Sequence, residues 1–242
     1  MRRIHLLVIL FVQASGFPLC GNATLPLMRK SLNVLLIGDS ISMTPPYTPG
    51  GYGGALEKLL SAKGVHAQHA GGEFTGGQAG DTRLGMVCTN TTGAGYLNVS
   101  GVFDLIHFNY GLHDLANYGP SAPPLALPQY GENLAAIYKR LQTKARLVMW
   151  TSTTPVANVP QPYNRTYDAA VEYNAQALAS LTEANDGKAP LMNDLWRAFI
   201  EHCGERYKSC DLQLPSNVHL TPAGIAFAAE SAASDILRAL GL

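Results

Sequence analysis

Serine, imidazole, amide and carboxyl side chains gather at a few points of this sequence, and their types fit one chemistry. Ser40 ends the run Val34-Leu35-Leu36-Ile37-Gly38-Asp39-Ser40, and Gly80 closes a glycine-rich stretch that begins at Gly71. Asn109-Tyr110-Gly111-Leu112-His113-Asp114 is a third cluster, and His219 stands just before Leu220-Thr221-Pro222. A serine oxygen is a weak nucleophile until an adjacent imidazole takes its proton, and a tetrahedral intermediate needs donors aimed at its oxyanion. Acyl transfer uses this inventory. Ser40 would attack, and His219 would act as base and then as acid. The N–H groups of Ser40 and Gly80, with a side chain from His113 or Asn109, would form the oxyanion hole, and Asp39 and Asp114 would support it. The stretch 71–82 has no Gly-x-Gly-x-x-Gly or Walker spacing, so no nucleotide cradle is read there. No Cys-x-x-Cys or His-x-x-x-His spacing suggests a zinc site, so neither metal nor cofactor is expected.

Each residue also has a purely structural reading. Asp39 or Ser40 could cap a following helix, and Asp194 reads as a helix N-cap rather than as an acid partner for His219. His66, His69 and His202 read as surface or helix-end residues, and His107, inside an apolar strand, as a hydrogen-bonded core group. His219 gains its chemical reading from being paired with Ser40.

The elements that must position these groups alternate between two periods. Residues 34–37 form a short apolar run read as a buried strand, ended by the Gly-Asp-Ser turn. Pro45, Pro46 and Pro49 forbid regular structure before a helix at 53–63, which Gly64 ends. Further strands are expected at 65–70, 102–108, 146–150 and 189–192. Further helices are expected at 130–142, 166–184, 194–202 and 222–240, the last with Thr221 as N-cap and Pro222 at its first position. The polar, glycine-rich stretch 87–101 reads as an exposed excursion. Strand–helix alternation is the signature of an α/β protein: a mostly parallel sheet covered on both faces, with the loops at the carboxyl ends of the strands forming one site.

With 242 residues the chain is long enough for one sizeable core and short for two full domains. Lys+Arg and Asp+Glu each number 17, so the formal net charge is +0 and no nucleic-acid partner is expected. Charged residues make up only 14%, well under the roughly 25% of ordinary globular proteins, which suits a protein working outside the cell. Arg2 and Arg3 precede the apolar run from Leu6 to Val12, which small Ala14, Ser15 and Gly16 follow, the pattern of a secretory signal peptide over residues 1–16. No later stretch reaches the ~20 apolar residues of a membrane span. Bulky Leu19 before Cys20 argues against lipid modification there, so residues 17–30 would be an N-terminal segment leading into a domain at 31–242.

Four cysteines in an oxidising compartment make two disulfides plausible: Cys203 with Cys210 as a small loop, and Cys20 with Cys88. Sequons at Asn22, Asn90, Asn98 and Asn164 would mark exposed loops.

Four blocks in order carry a family resemblance: Gly38-Asp39-Ser40, Gly77-Gln78-Ala79-Gly80-Asp81-Thr82, Gly111-Leu112-His113-Asp114 and Val218-His219-Leu220-Thr221-Pro222-Ala223-Gly224. From Ser31 to the C-terminal helix, the chain resembles the SGNH hydrolase superfamily, or GDSL-type esterases and lipases. The resemblance implies a three-layer α/β/α sandwich with a flavodoxin-like sheet and metal-independent ester hydrolysis, often of acyl groups on sugars. No Gly-x-Ser-x-Gly elbow surrounds Ser40, which sets the α/β-hydrolase pattern aside. Two positions depart from the family pattern. His113 stands where its asparagine is usual, and Ser216 stands where its triad aspartate is usual, three residues before His219. Together with Thr153-Thr154-Pro155-Val156 and Tyr173-Asn174, the third block resembles a narrower branch in which Gly-Leu-His-Asp is itself usual. A serine–histidine dyad, its ring oriented by a backbone carbonyl or water, is the expected machinery.

The leading expectation is therefore a secreted serine esterase acting on short acyl esters, acetyl for instance, of a glycan or other hydroxylated substrate. An O-acyltransferase on the same scaffold and a carbohydrate-binding module that has lost the reaction are the alternatives. Tyr47, Tyr52, Tyr110, Tyr118 and Tyr163 lie on loops from which a sugar ring could be stacked.

Overall fold

The structure is a computed structural model that describes residues 20, 27–28, 30–42, 51–70, 80–92 and 95–242. The expected signal peptide, Asn22, Tyr47 and the glycine-rich run as far as residue 79 lie outside these.

Among the described residues, five strands form one parallel sheet: β1 (Leu32–Ile37), β2 (Val65–His69), β3 (Phe103–Phe108), β4 (Ala145–Thr151) and β5 (Leu191–Asn193), in the order β2-β1-β3-β4-β5. Val34–Ile37 of β1 are buried, which is why the strand reads as a continuous apolar run rather than an alternating one. Six α-helices among the described residues complete the α/β three-layer fold: α1 (Gly53–Ser61), α2 (Thr82–Cys88), α3 (Leu127–Gln142), α4 (Tyr167–Ala184), α5 (Leu195–Cys203) and α6 (Pro222–Leu240). Helix α3 buries Tyr130, Leu134, Ile137, Tyr138 and Leu141, one stripe of an amphipathic helix, and packs between α2 and α4. Helix α6 packs on α1 and buries a stripe of small residues, Ala228, Ala229, Ala232 and Ala233.

The chain turns from one side of the sheet to the other between β1 and β3, where strand order reverses. Open α/β sheets form their ligand crevices at the carboxyl ends of the strands at such a point. Ser40 follows β1 and Asn109–Asp114 follow β3, so the order of the strands alone brings these two clusters together.

Two expectations change. Residues 82–88 form helix α2 instead of continuing the loop, because Asp81 caps it by accepting from the Leu84 N–H at 3.0 Å. The stretch 87–101 is not simply exposed: Cys88, Thr89, Tyr96 and Leu97 are buried, held by the Cys20–Cys88 disulfide and by packing of α2 on α3. Both disulfides are as expected, with Cα–Cα distances of 5.2 Å for Cys20–Cys88 and 5.5 Å for Cys203–Cys210. Asn90, Asn98 and Asn164 are exposed. No helix among the described residues is long and apolar enough to cross a membrane.

Candidate active site

Ser40 is held by a turn built from its neighbours. Asp39 Oδ1 accepts the Ile41 N–H at 2.9 Å, and the Asp39 carbonyl accepts the Ser42 N–H at 3.1 Å. Gly38 is required by close approach: a Cβ there would lie 1.8 Å from Ser42 Oγ and 2.9 Å from Ser42 Cβ. The turn therefore folds back directly over the end of β1, and Asp39 holds the turn around Ser40 through both its side chain and its carbonyl.

His219 arrives on a short reversal between the Cys203–Cys210 loop and α6. The Leu214 N–H donates to the His219 carbonyl at 2.9 Å, the Thr221 N–H to the Leu212 carbonyl at 3.1 Å, and Ser216 takes a left-handed conformation at φ 48°. Thr221 then caps α6, its Oγ1 accepting from the Gly224 N–H at 3.1 Å. Across a sequence separation of 179, His219 Nε2 lies 2.9 Å from Ser40 Oγ.

The imidazole is oriented by Asn217. Its Oδ1 accepts the backbone N–H of His219 at 3.1 Å and lies 2.8 Å from His219 Nδ1. A backbone N–H can only donate, so the atom facing it is the amide oxygen, and Nδ1 facing that same oxygen must carry the proton. Nε2 is left as a bare acceptor for the Ser40 hydroxyl hydrogen. The expected dyad thus gains a third member. Where a backbone carbonyl or a water was expected, a side-chain amide two residues before His219 faces Nδ1. Asp194 is an N-cap, accepting from the Arg197 N–H at 3.1 Å and the Ser152 hydroxyl at 3.0 Å. Burial lowers the His219 pKa against the raising effect of Asp39, with Arg165 and His113 adding to the lowering, which favours the neutral ring a base must be.

Ser40, His219, Asn217 and His113 line one cleft of about 410 Å³, with Leu112, Val218, Tyr118, Pro162, Tyr163 and Arg165. His113 is held in turn. Its Nδ1 lies 3.0 Å from the Tyr118 hydroxyl, which accepts from Arg165 Nη2 at 3.0 Å, while Arg165 Nε donates to the Leu112 carbonyl at 2.8 Å. Burial lowers the His113 pKa and Arg165 lowers it further, against the opposing pull of Asp39 and Asp81. Asn109 faces elsewhere. Its Nδ2 donates to the Thr151 carbonyl at 2.7 Å, bracing β3 on β4, and of the two side chains considered for the oxyanion it is His113 that lines the cleft.

Gly80 precedes α2 in a left-handed conformation, φ 63°, and a Cβ there would lie 2.9 Å from Leu84 Cδ2. Asp114 fixes the start of that helix: its Oδ1 accepts the Thr82 N–H at 2.9 Å and the Thr82 hydroxyl at 2.6 Å. Burial pushes Asp114 up to about 7, more than the two Thr82 hydrogen bonds pull it down. The other segments that carried the resemblance are braces as well. Asn174 bonds both ways to the Thr153 backbone, at 2.8 and 2.9 Å, and Thr153 Oγ1 donates to the Tyr110 carbonyl at 3.0 Å.

Tyr118 and Tyr163 are exposed at the cleft with ring centroids 4.5 Å apart, whereas Tyr52 and Tyr110 are core residues and cannot meet a sugar. His107 is the hydrogen-bonded core group expected, paired with Thr151 Oγ1. His69 is not at the surface: its side chain is 10% exposed, and burial pushes its pKa down to about 4. Asn217 and Arg165 were missed by the sequence reading. Asn217 was overlooked because the family pattern directs attention one residue earlier, and Arg165 because it lies within a sequon.

No protein-family model and no curated protein matches this chain. Among solved structures, it is similar to the acetyl xylan esterase AlAXEase, at 15% identity and a TM-score of 0.63 over 85% of this chain and 100% of that one. An acetylxylan esterase from Geobacillus stearothermophilus matches at 16% identity and a TM-score of 0.59, over 89% and 97% of the two chains. A GDSL-like lipase from Bacteroides thetaiotaomicron matches at 16% and 0.59, over 91% and 94%. The chain therefore shares its fold with these structures, and at such identities the likeness is one of fold.

Proposed function

We propose that this protein is a secreted serine esterase that removes short acyl groups, acetyl for instance, from a glycan or similar hydroxylated substrate. The observation that carries the reading is the 2.9 Å contact of His219 Nε2 with Ser40 Oγ, with Asn217 behind the ring. As Ser40 Oγ attacks the acyl carbon, its proton passes to His219 Nε2 and the carbonyl oxygen becomes an oxyanion. Collapse breaks the bond to the alcohol oxygen, which takes the proton from His219 and leaves an acyl-Ser40 ester. Water then attacks that ester, giving its proton to His219, and the second collapse releases the carboxylic acid as Ser40 recovers a proton from the ring. The N–H groups of Ser40 and Gly80 and the His113 ring are the proposed oxyanion donors.

The substrate class is supported by the aromatic wall of Tyr118 and Tyr163 at the cleft and by the acetyl xylan esterases among the similar folds. Secretion is supported by the two disulfides and by the leader pattern at the N-terminus. With an aryl acetate as substrate, Ser40→Ala should lose roughly a thousandfold or more in turnover while keeping its fold, as expected when the covalent route is removed. Turnover within tenfold of the parent would sink the serine-esterase reading.

A further inference from the structure

The cleft contains two imidazoles whose Nδ1 atoms face different kinds of partner, an amide oxygen at His219 and a hydroxyl at His113. At His219 the proton is on Nδ1, because Asn217 Oδ1 can only accept. At His113 the partner of Nδ1 is a hydroxyl, which could donate or accept, so the choice falls to what else that hydroxyl touches. Tyr118 Oη already accepts from Arg165 Nη2, a group that has only donors. With that acceptor position taken, its own hydrogen is free to point to His113 Nδ1, 3.0 Å away.

We propose that Arg165 and Tyr118 form a relay that fixes His113 as the Nε2–H tautomer, making Nε2–H the side-chain donor to the oxyanion formed at Ser40. Tyr118 and Arg165 are positioning residues in this account. Only His113 touches the reacting atoms. The inference rests on the esterase reading of Ser40 and adds to it the device by which a histidine serves where an asparagine is usual. An amide always presents an N–H. A neutral imidazole presents one from a given nitrogen only if its tautomer is set from outside.

Three features make the relay rigid. Arg165 is 7% exposed and is anchored by its Nε to the Leu112 carbonyl, next to His113 in the chain. Its guanidinium lies over the Tyr163 ring at 5.1 Å and near the Tyr118 ring at 5.9 Å, so the fork cannot rotate freely. The Asn117 N–H donates to the Tyr163 carbonyl at 2.8 Å, tying the Tyr118 loop to the segment that carries Arg165.

The charged and titratable groups that act on His113 are Asp39, Asp81, Arg165 and Tyr118, with His219 beside it in the cleft. Burial and Arg165 keep the ring neutral against the two carboxylates, and burial holds Tyr118 in its protonated, donating form.

The tautomer can be read without substrate, in a two-bond proton–nitrogen NMR spectrum of the protein labelled with 15N-histidine. The His113 signals would be assigned by their loss in His113→Gln. At pH 7 the expected pattern is protonated Nε2 and unprotonated Nδ1; a protonated Nδ1, alone or in an imidazolium, overturns the relay. Tyr118→Phe keeps the ring in place and removes the hydroxyl. It should give a mixture of tautomers at His113 and lower kcat on an aryl acetate by roughly tenfold or more, with KM within about twofold. An unchanged Nε2–H tautomer in Tyr118→Phe, or a kcat within about twofold of the parent, contradicts the proposal. A protein with the expected tautomer but indifferent to Ser40→Ala instead fails the esterase reading, so the two failures are distinguishable.

Discussion

Asn217 holds the His219 ring with no charge, and the pH dependence should show it. A buried aspartate in that position would favour the imidazolium. Here the ring is oriented by a neutral amide, and burial lowers the His219 pKa from its ordinary value. The acid limb of the kcat/KM profile reports the free enzyme's base, so activity should rise with pH through a midpoint below the ordinary imidazole value and level off above it. Asn217→Asp should move that midpoint up by roughly a unit or more, because a carboxylate beside Nδ1 stabilises the protonated ring. A profile identical to the parent's would mean that position 217 does not govern His219. Asn217→Ala, which leaves Nδ1 unpartnered and both tautomers available, should lower kcat by about tenfold or more while moving the midpoint little. At this scale the sequence was most legible for Ser40, His113 and His219, since types that perform acyl transfer are few. It was least legible for Asn217 and Arg165, whose roles depend on a left-handed turn at Ser216 and on a stack with two tyrosines, neither of which leaves a periodic trace.

The elements place these groups through contacts too close for larger side chains. Gly224, in the first turn of α6, sits where a Cβ would lie 1.9 Å from the Leu212 carbonyl, the same oxygen that accepts the Thr221 N–H and shapes the reversal carrying His219. Backbone on both sides cannot yield as a side-chain tip would. Gly224→Ala should therefore destabilise the protein by about 1–3 kcal/mol in denaturant melts and impair turnover beyond that loss of stability. A variant with parental stability and activity would show that the reversal is not fixed by this approach. Asp114 couples α2 to the end of β3. Its carboxyl is pushed up to about 7, above its unfolded value near 4, so its contribution is fully present below about pH 4 and is lost as pH rises through about 7. Asp114→Asn removes that titration. The stability difference between parent and variant should shift against the parent as pH climbs from about 4 to about 7; a constant difference would mean that the carboxyl titrates normally. Helix α2 itself was illegible because its seven residues are too few for a period to emerge, although the cap at Asp81 was there to be seen.

For the molecule as a whole, strand–helix alternation was enough to predict a parallel sheet, and the reversal of strand order between β1 and β3 explains why Ser40 and His113 share a cleft. Long-range order also depends on the cysteines. Removing the Cys20–Cys88 bridge by paired serine substitutions should cost about 2–4 kcal/mol in denaturant melts, because it closes a separation of 68 residues, and removing Cys203–Cys210, with a separation of 7, about 2 kcal/mol or less. Equal, negligible effects would show that neither bridge restrains the unfolded chain. The central claim is that a serine is made nucleophilic by a histidine brought to it from the other end of the chain. Its most direct test is labelling of the unreduced protein with a fluorophosphonate, followed by peptide mapping. The account predicts a single adduct on Ser40, formed slowly or not at all in His219→Ala. An adduct on another residue, or labelling of Ser40 that is as fast without His219 as with it, would contradict the account.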